Sequence, residues 1–471
     1  MKQSLASPFA VGVASRVGGQ ICAFVLILIA SRSLGLAEFG AYAIASAVSV
    51  IFITLVYTGI YHILLRSEDI ERDRDTFFLL QFGVGLVGTS IMAGGAFVFG
   101  DLGERGTAFA LLALSPIPTL ACVSAWLESL LVRDGRVRTT SICVLLSELL
   151  GLGTAIWLFR QGHGIEALIA SRFASMAFII TVYAGLVRQM PRLRLRRATA
   201  RHSVREAWPL WGSVSLAMLS NYGADLILGA FLNTAAVGAY RAGSRIANTA
   251  ADVVIQPLGV ISWARFARLE TKGAPDLIRE AWKENMALGF ALVAPAMISL
   301  CFLAPGLVSI LLDPSWAAAS GVVTILAMAR ATAAVTFLLE PTLTCLGRVR
   351  LQFFIRLGDA TLLIALLLTI GRTSAESAAV AILVKDLLLM AVALTAMMRV
   401  ARLDFSDLLE ATAPGFGLTL ACLAILLGAS VFPSAHTPSL AFALTVAALV
   451  VTWLLSVTVL LRRQVLVLPR P

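Results

Sequence analysis

The sequence predicts an all-α polytopic membrane protein with about fourteen transmembrane helices, and three observations carry that prediction. Of the 471 residues, 59% are hydrophobic and 14% charged, and the mean hydropathy is +0.90; no soluble globule sustains such a composition. Apolar segments of about 20 to 28 residues follow one another between very short charged turns, and roughly 20 such residues cross a hydrocarbon core as a helix. The one long polar stretch, Arg188 to Arg205, holds seven arginines in eighteen residues. It reads as a cytoplasmic connection near the middle of the chain.

Taken in order, the first span, 8–31, is apolar apart from Arg16 and stops at a Ser-Arg-Ser turn. The second, 38–65, runs from that turn to Arg66, and the third, 76–99, follows the charged cluster ending at Asp75. Spans 107–132 and 139–159 lie between Arg105 and Arg133 and between Arg138 and Arg160; 164–187 closes the first half at Arg188. Beyond the arginine stretch come 207–231, 237–264 ending at Arg265, 285–312 ending at Asp313-Pro314, and 317–346 ending at Gly347-Arg348. The last four are 351–370, 377–398, 411–432 and 438–461. Several of these carry proline or charge, so twelve spans is the alternative.

A net charge of +10 and a pI near 9.8 suggest nucleic-acid binding until the charges are placed. With the amino terminus inside, 26 of the 37 Lys and Arg fall on the cytoplasmic side. The outside turns hold only Arg32, Arg105, Arg160 and Arg372. Such asymmetry is the positive-inside signature, with a further contribution from anionic lipid headgroups. No nucleic-acid partner is expected. Both termini are expected in the cytoplasm, and minimal loops fit a bacterial cytoplasmic (inner) membrane. The first apolar run lacks a basic leader and contains Arg16, so it reads as an uncleaved span. The six cysteines show neither disulfide nor metal-ligand spacing; no metal or other cofactor is expected.

The arginine stretch divides the chain into 1–190, an amino-terminal six-helix lobe; 191–206, a basic linker; 207–402, a second six-helix lobe; and 403–471, an additional helix pair. Two six-helix halves are a known transporter arrangement. A faint internal echo agrees: LGLAEFGAYAIAS (34–46) and LNTAAVGAYRAGS (232–244) occupy the first turn of each half. They match at Leu34/Leu232, Ala37/Ala235, Gly40/Gly238, Ala41/Ala239, Tyr42/Tyr240 and Ser46/Ser244. Prolines Pro116, Pro118, Pro257, Pro295 and Pro341 predict kinks, since each frees a carbonyl.

Charges inside spans are costly, about 2.5–3.5 kcal/mol at a helix centre, and point to interior cavities. Arg241, Arg245, Asn248 and Asp252 lie within about 60° of one another on a helix. Arg16 and Gln20 share a face of the first span, and Asn221 and Asp225 a face of the seventh. A salt-bridge ladder is one reading of this stripe and a hydrated cationic wall the other. Substrate contacts are therefore expected from Arg16, Gln20, Arg241, Arg245 and Asn248, and ion coupling from Asp225, Asp252 or Asp359. Glu148 is expected to pair with Arg172, and Arg356 with Asp359 at i,i+3. Lys385 and Asp386, adjacent in sequence, are expected to find separate partners. His62, His163, His202 and His436 are too dispersed for a shared site, and Trp208, Trp211 and Trp316 read as interface anchors.

The opening GVASRVGGQ and SRSLGLAEFGAYA, with Ser15, Arg16, Gly19, Leu34, Gly35, Glu38, Phe39, Gly40 and Tyr42, resembles bacterial oligosaccharide and polysaccharide flippases. These are the O-antigen and exopolysaccharide translocases of the multidrug/oligosaccharidyl-lipid/polysaccharide flippase superfamily. Val237-Gly238-Ala239-Tyr240 and the turn 311–316, ending in Asp313-Pro314-Ser315-Trp316, fit the same pattern. The resemblance implies a two-lobed bundle of twelve core helices plus two, working by alternating access on a polyprenyl-diphosphate-linked glycan. It implies membrane lipids, polysaccharide polymerase and chain-length machinery as partners, and cavity arginines facing the diphosphate. Val214 stands where Arg16 would repeat, so the halves are not functionally symmetric.

Arginine suits a diphosphate because its planar fork donates two parallel hydrogen bonds. Drug cations favour an anionic or aromatic lumen, so a multidrug exporter is the weaker alternative; a flippase for lipid-linked peptidoglycan precursors differs only in cargo. A membrane polymerase or glycosyltransferase needs a sizeable outside loop with catalytic carboxylates or histidines, and none is present. An enzyme is not expected.

Overall fold

The computed structural model describes residues 8–192, 194–271, 275–431 and 438–466. The expectations that fall on His436, Phe432 and the two termini lie outside them. The described residues are predominantly helical, and no strand occurs among them.

The helices are α1 (Pro8–Ala30), α2 (Leu36–Val56), α3 (Ile60–Arg66), α4 (Ile70–Asp101), α5 (Arg105–Leu114), α6 (Pro116–Arg133), α7 (Val137–Arg160), α8 (Ile165–Val187) and α9 (Arg197–Phe231). There follow α10 (Thr234–Thr271), α11 (Pro275–Leu311), α12 (Ala319–Thr336), α13 (Leu339–Cys345), α14 (Val349–Leu366), α15 (Ala375–Ala401), α16 (Phe405–Val431) and α17 (Pro438–Arg462). Three rods are broken in the middle, α2–α3, α5–α6 and α12–α13, so the described helices form fourteen rods at the fourteen expected places. Twelve are long and apolar enough to cross a membrane by length and composition. The other two are α1, whose described apolar part is the shorter Ala14–Ala30, and α10, which carries the polar stripe.

Two of the breaks have identifiable causes. Ser115 ends α5 because Pro116 and Pro118 open α6, Pro116 at the first turn where its missing N–H costs nothing. Thr89 Oγ1 donates to the Ser115 carbonyl at 2.6 Å, satisfying an acceptor the break exposes. The α2–α3 break turns on Gly59, at φ 59°, ψ −104°, a region closed to side-chain-bearing residues. There Trp211 of α9 packs on the glycine, and its Nε1 donates to Leu55 O at 3.0 Å. A Cβ on Gly59 would sit 2.4 Å from Trp211 Nε1. Gly59→Ala is therefore expected to lower the thermal unfolding midpoint in detergent by the equivalent of about 1–3 kcal/mol; an unchanged midpoint would show that the break tolerates a side chain. Pro257 and Pro295 lie within helices that continue past them.

The helices form two compact units, Met1–Arg241 and Ala242–Pro471. In the first, α2 packs on α4, α5, α6 and α9, while α7 packs on α1 and α8. Its core gathers Ile60, Leu64, Phe77, Trp126, Leu131 and Tyr183. Small residues set the close approaches, as expected where lipid is as apolar as the helix surface. Gly85 of α4 meets Pro118 and Cys122, and Gly151 of α7 meets Ser171 and Ser175. The closest approach joins the two echo segments. A Cβ on Gly40 would fall 1.7 Å from Thr234 O, and one on Gly238 would fall 2.1 Å from Leu36 O. Thr234 is the echo counterpart of Leu36, so the contact is reciprocal.

The arginine-rich connection is held down along much of its length. Asp75 Oδ1 accepts from Arg192 N at 3.1 Å, and Thr76 Oγ1 accepts from Arg196 N at 3.1 Å and donates to Arg194 O at 3.2 Å. Its second half is already helix, the start of α9.

The second unit packs α11 on α12 and α16, and α12 on α15. Its core gathers Phe266, Trp282, Met286, Met297, Leu338 and Met397. Arg279 and Lys283 of α11 clamp Asp404, Asp407 and Glu410 at the start of α16, at 2.5–3.3 Å. In the turn after α11, Asp313 Oδ1 accepts from Ser315 N (3.0 Å) and Ser315 Oγ (2.8 Å), which holds its carboxyl below the usual range.

Two of the three tryptophan expectations change. Trp316 is fully buried, a core residue because the 3₁₀ turn Pro314–Trp316 folds its ring inward. Trp211 closes the α2–α3 break. Trp208 is exposed, as an anchor must be.

Candidate functional site

In the first unit, intramembrane polar groups gather on α1, α7, α8, α9 and the first turns of α10. Arg241 Nη1 donates to Asp225 Oδ2 at 3.0 Å, with its guanidinium 4.7 Å from the centre of the Tyr222 ring. Asp225 is fully buried and its Oδ1 has no hydrogen-bond partner. Arg241 keeps 22% of its side chain accessible. A carboxylate, an aromatic face and a guanidinium thus form one unit: the ring supplies a cation–π contact and the acid neutralises the charge. Arg241, expected to contact substrate, and Asp225, expected to couple an ion, thus bind each other in this structure.

Arg172 Nε donates to the Tyr42 hydroxyl at 3.2 Å, and its Nη1 lies 4.0 Å from Glu148 Oε1. That pairing was expected; Tyr42 was not. Tyr42 is the echo tyrosine of α2, and both it and Tyr240 are buried. Arg16 is exposed on α1 and has no hydrogen-bond or ionic partner among the described residues; Gln20, one turn on, is half-buried.

In the second unit, Arg330 Nε of α12 donates to Asn248 Oδ1 at 2.6 Å, so Asn248 is engaged by a cation the sequence left aside. Arg245 is half-buried, and Asp252 forms no ion pair among the described residues. Asp359 lies on α14 and binds Lys385 Nζ at 2.8 Å, and the same ammonium lies 2.8 Å from Asp386 Oδ1. Two expectations fail together here. Arg356 pairs with Glu340 at 2.5 Å rather than with Asp359. Lys385 reaches its own neighbour because its four-carbon stem folds back, which adjacency alone does not forbid.

Sequence reasoning missed two features of the first unit. Glu128 on α6 accepts from Tyr61 and Tyr183; a lone carboxylate inside an apolar run was the available signal. A cavity of about 560 Å³ is lined by His62, Arg66, Asp73, His202 and Glu206 among others. It brings together two histidines far apart in sequence, each followed four residues on by a charged group. No cluster of three metal-ligating side chains occurs among the described residues.

Fourteen helical rods, twelve of them long and apolar enough to cross a membrane, define a polytopic membrane protein, and comparison narrows the class. Residues 29–321 match the family described as polysaccharide biosynthesis protein, so the chain belongs to that family. It is 26% identical over 325 residues to the succinoglycan biosynthesis transport protein ExoT of Rhizobium meliloti (strain 1021), a match covering 68% of this chain and 64% of that protein's length. Among solved structures, the lipid II flippase MurJ in an inward closed conformation superposes with a TM-score of 0.78 at 11% identity, over 96% of this chain and 99% of that one. An inward-facing multidrug resistance MATE transporter of the MOP superfamily gives 0.64 at 12% identity, over 86% and 97%. At such identities the likeness is one of fold. The chain has the fold of these flippase and MATE structures and belongs to a polysaccharide biosynthesis family.

Proposed function

We propose that the protein is a flippase that moves a polyprenyl-diphosphate-linked oligosaccharide from the cytoplasmic to the periplasmic leaflet of a bacterial inner membrane by alternating access. The moving parts are the six-helix lobes 1–190 and 207–402, joined by 191–206, with 403–471 as an accessory pair. The observation that carries the reading is kinship with a family of polysaccharide biosynthesis proteins whose matched relative bears a transport name. Transport rather than catalysis fits a chain without catalytic loops.

The physical case is the cost of the cargo. Sugar hydroxyls stripped of water cost several kcal/mol each in an apolar medium, so a glycan needs a polar passage while its lipid tail stays in the bilayer. The diphosphate carries about two negative charges. With the cytoplasm negative, moving them outward is favoured by up to about 4.6 kcal/mol per 100 mV if the full field is crossed. Arg16 and Gln20 in the first unit, and Arg245 with Asn248 in the second, are the proposed contacts. Arg241 keeps enough accessible surface to join them while bound to Asp225. Asp225, Asp252 and Asp359 are the proposed ion-coupling acids; Asp225 and Asp359 each hold a basic side chain in the state described.

In a host lacking its own polysaccharide flippase, Arg16→Ala, Arg241→Ala and Arg245→Ala are each expected to lower surface polysaccharide by roughly tenfold, the equivalent of about 1.4 kcal/mol of lost binding. Membrane abundance must be matched in the same cells. Wild-type polysaccharide in all three variants would remove the arginines from the proposal.

A further inference from the structure

Glu128 is an acid in a membrane-spanning helix with no cation to answer it. Among the described residues it forms no ion pair. Its two oxygens are met instead by two phenols from two other helices: Tyr61 Oη of α3 donates to Oε1 at 3.3 Å, and Tyr183 Oη of α8 to Oε2 at 3.5 Å. An ionised carboxylate draws hydroxyl donors in to about 2.5–2.7 Å. These contacts are far longer.

The hydrogen count points the same way. Tyr183 is fully buried and has one phenolic proton, yet its oxygen lies within donating distance of two acceptors, Glu128 Oε2 and the Thr140 carbonyl at 3.4 Å. One proton cannot satisfy both. A hydrogen on Glu128 resolves the conflict: the carboxyl donates to Tyr183, and Tyr183 donates to Thr140. The groups around the acid are mostly neutral. They are Tyr57 at the end of α2, hydrogen-bonded to Ser124 at 2.8 Å, Tyr61 on α3, Cys143 on α7 and Tyr183 on α8. From α4 come Phe77 and Phe78, from α9 Ala207 and Trp211, and α6 itself carries Cys122 and, five residues on, Arg133.

Tyr61 links this acid to a residue that lines a cavity. The His62 ring meets the Tyr61 ring edge-on, 5.6 Å between centres, and His62 lines the 560 Å³ cavity with Arg66, Asp73, His202 and Glu206. Within that cavity His202 Nε2 binds Glu206 at 3.1 Å and Asp73 accepts from Thr199 at 2.9 Å. Titratable groups thus lie one residue from a phenol that meets the half-buried Glu128 carboxyl, at the end of the bundle the charge distribution assigns to the cytoplasm.

We propose that Glu128 is a proton-binding site: neutral in the state described, it exchanges its proton past Tyr61 with the cavity at His62. The step breaks one O–H bond at Glu128 and forms one at a water or at the His62 imidazole, with nothing oxidised or reduced. Release leaves a charge that the tyrosines must approach to stabilise, so proton occupancy is linked to how α3 sits against α6 and α8. Both phenols reach the acid from helices adjoining the Gly59 break or the basic connection, where the chain is jointed.

The test uses the purified full-length protein in lipid nanodiscs and needs no glycan, so it is independent of the export reading. Infrared difference spectra across a pH titration are expected to show a protonated-carboxyl C=O band that fades as pH rises. Glu128→Gln should remove it, and Tyr183→Phe should shift it by deleting one hydrogen bond. In the unaltered chain, a hydrophobic carbodiimide should modify Glu128 at low pH and less as pH rises, read by peptide mass spectrometry; this arm needs no variant to fold. A titration identical in wild type and Glu128→Gln, or carbodiimide labelling of Glu128 that ignores pH, would overturn the proposal. So would loss of the band on adding sodium at constant pH, which would make the site one for a metal cation.

Discussion

Asp225→Ala is expected to destabilise the protein by about 3–5 kcal/mol, because it removes the carboxylate that neutralises the Arg241 guanidinium between helices. The acid is fully buried and the arginine only partly accessible, so the charge cannot simply turn to water. Asp225→Asn keeps an acceptor and should cost less. The double variant Asp225→Ala, Arg241→Ala removes both charges and should recover much of the loss, since exchanging a buried pair for apolar groups is often near neutral. Detergent thermal unfolding and membrane abundance read these stabilities. The comparison also separates two roles of Arg241. If it serves only as Asp225's partner, the double variant recovers export along with stability. If it touches the cargo, stability returns and export does not. A single Asp225→Ala with wild-type stability would show that the pair contributes nothing.

The positions of the rods were legible in the sequence because each apolar run must be long enough to cross hydrocarbon. Their lengths were not. The chain predicts 76–99, 207–231 and 285–312, whereas the helices run Ile70–Asp101, Arg197–Phe231 and Pro275–Leu311. Hydrophobicity reports only the lipid-facing part, and these helices continue through charged residues once clear of it. The break at Pro116 was visible because proline acts locally; the break at Gly59 was not, since it depends on Trp211 arriving from another helix. Side-chain partners follow the same rule. Arg241 and Asn248 could be placed on one face by periodicity, but their partners, Asp225 and Arg330, belong to other helices. Arg330 for Asn248 and Glu340 for Arg356 follow from packing rather than spacing. Glu128 went unmarked for that reason: its partners, Tyr61 and Tyr183, share no spacing with it.

The echo between 34–46 and 232–244 looked like a weak repeat on six identities, and the structure gives two of those identities a mechanical meaning. Gly40→Ala places a Cβ 1.7 Å from the Thr234 carbonyl oxygen, and Gly238→Ala one 2.1 Å from that of Leu36. A Cβ has no rotamer to escape by, and its obstacle is backbone, so α2 and α10 must move apart. Overpacking in ordinary cores costs about 1–3 kcal/mol. Here both surfaces are main chain, so each substitution should exceed that range, and leucine at either position should abolish folded protein. Gly94→Ala is the matched control. It lies mid-helix in α4 with nothing within 4 Å of an added Cβ, and it should stabilise the helix by about 0.5–1 kcal/mol. Because Gly40 and Gly238 report one contact, the double alanine variant should cost less than the sum of the singles, a coupling of about 0.5–3 kcal/mol. Abundance and unfolding midpoints of the four variants check this. Strict additivity would mean that the two glycines act at independent places, and the repeat would lose its structural basis.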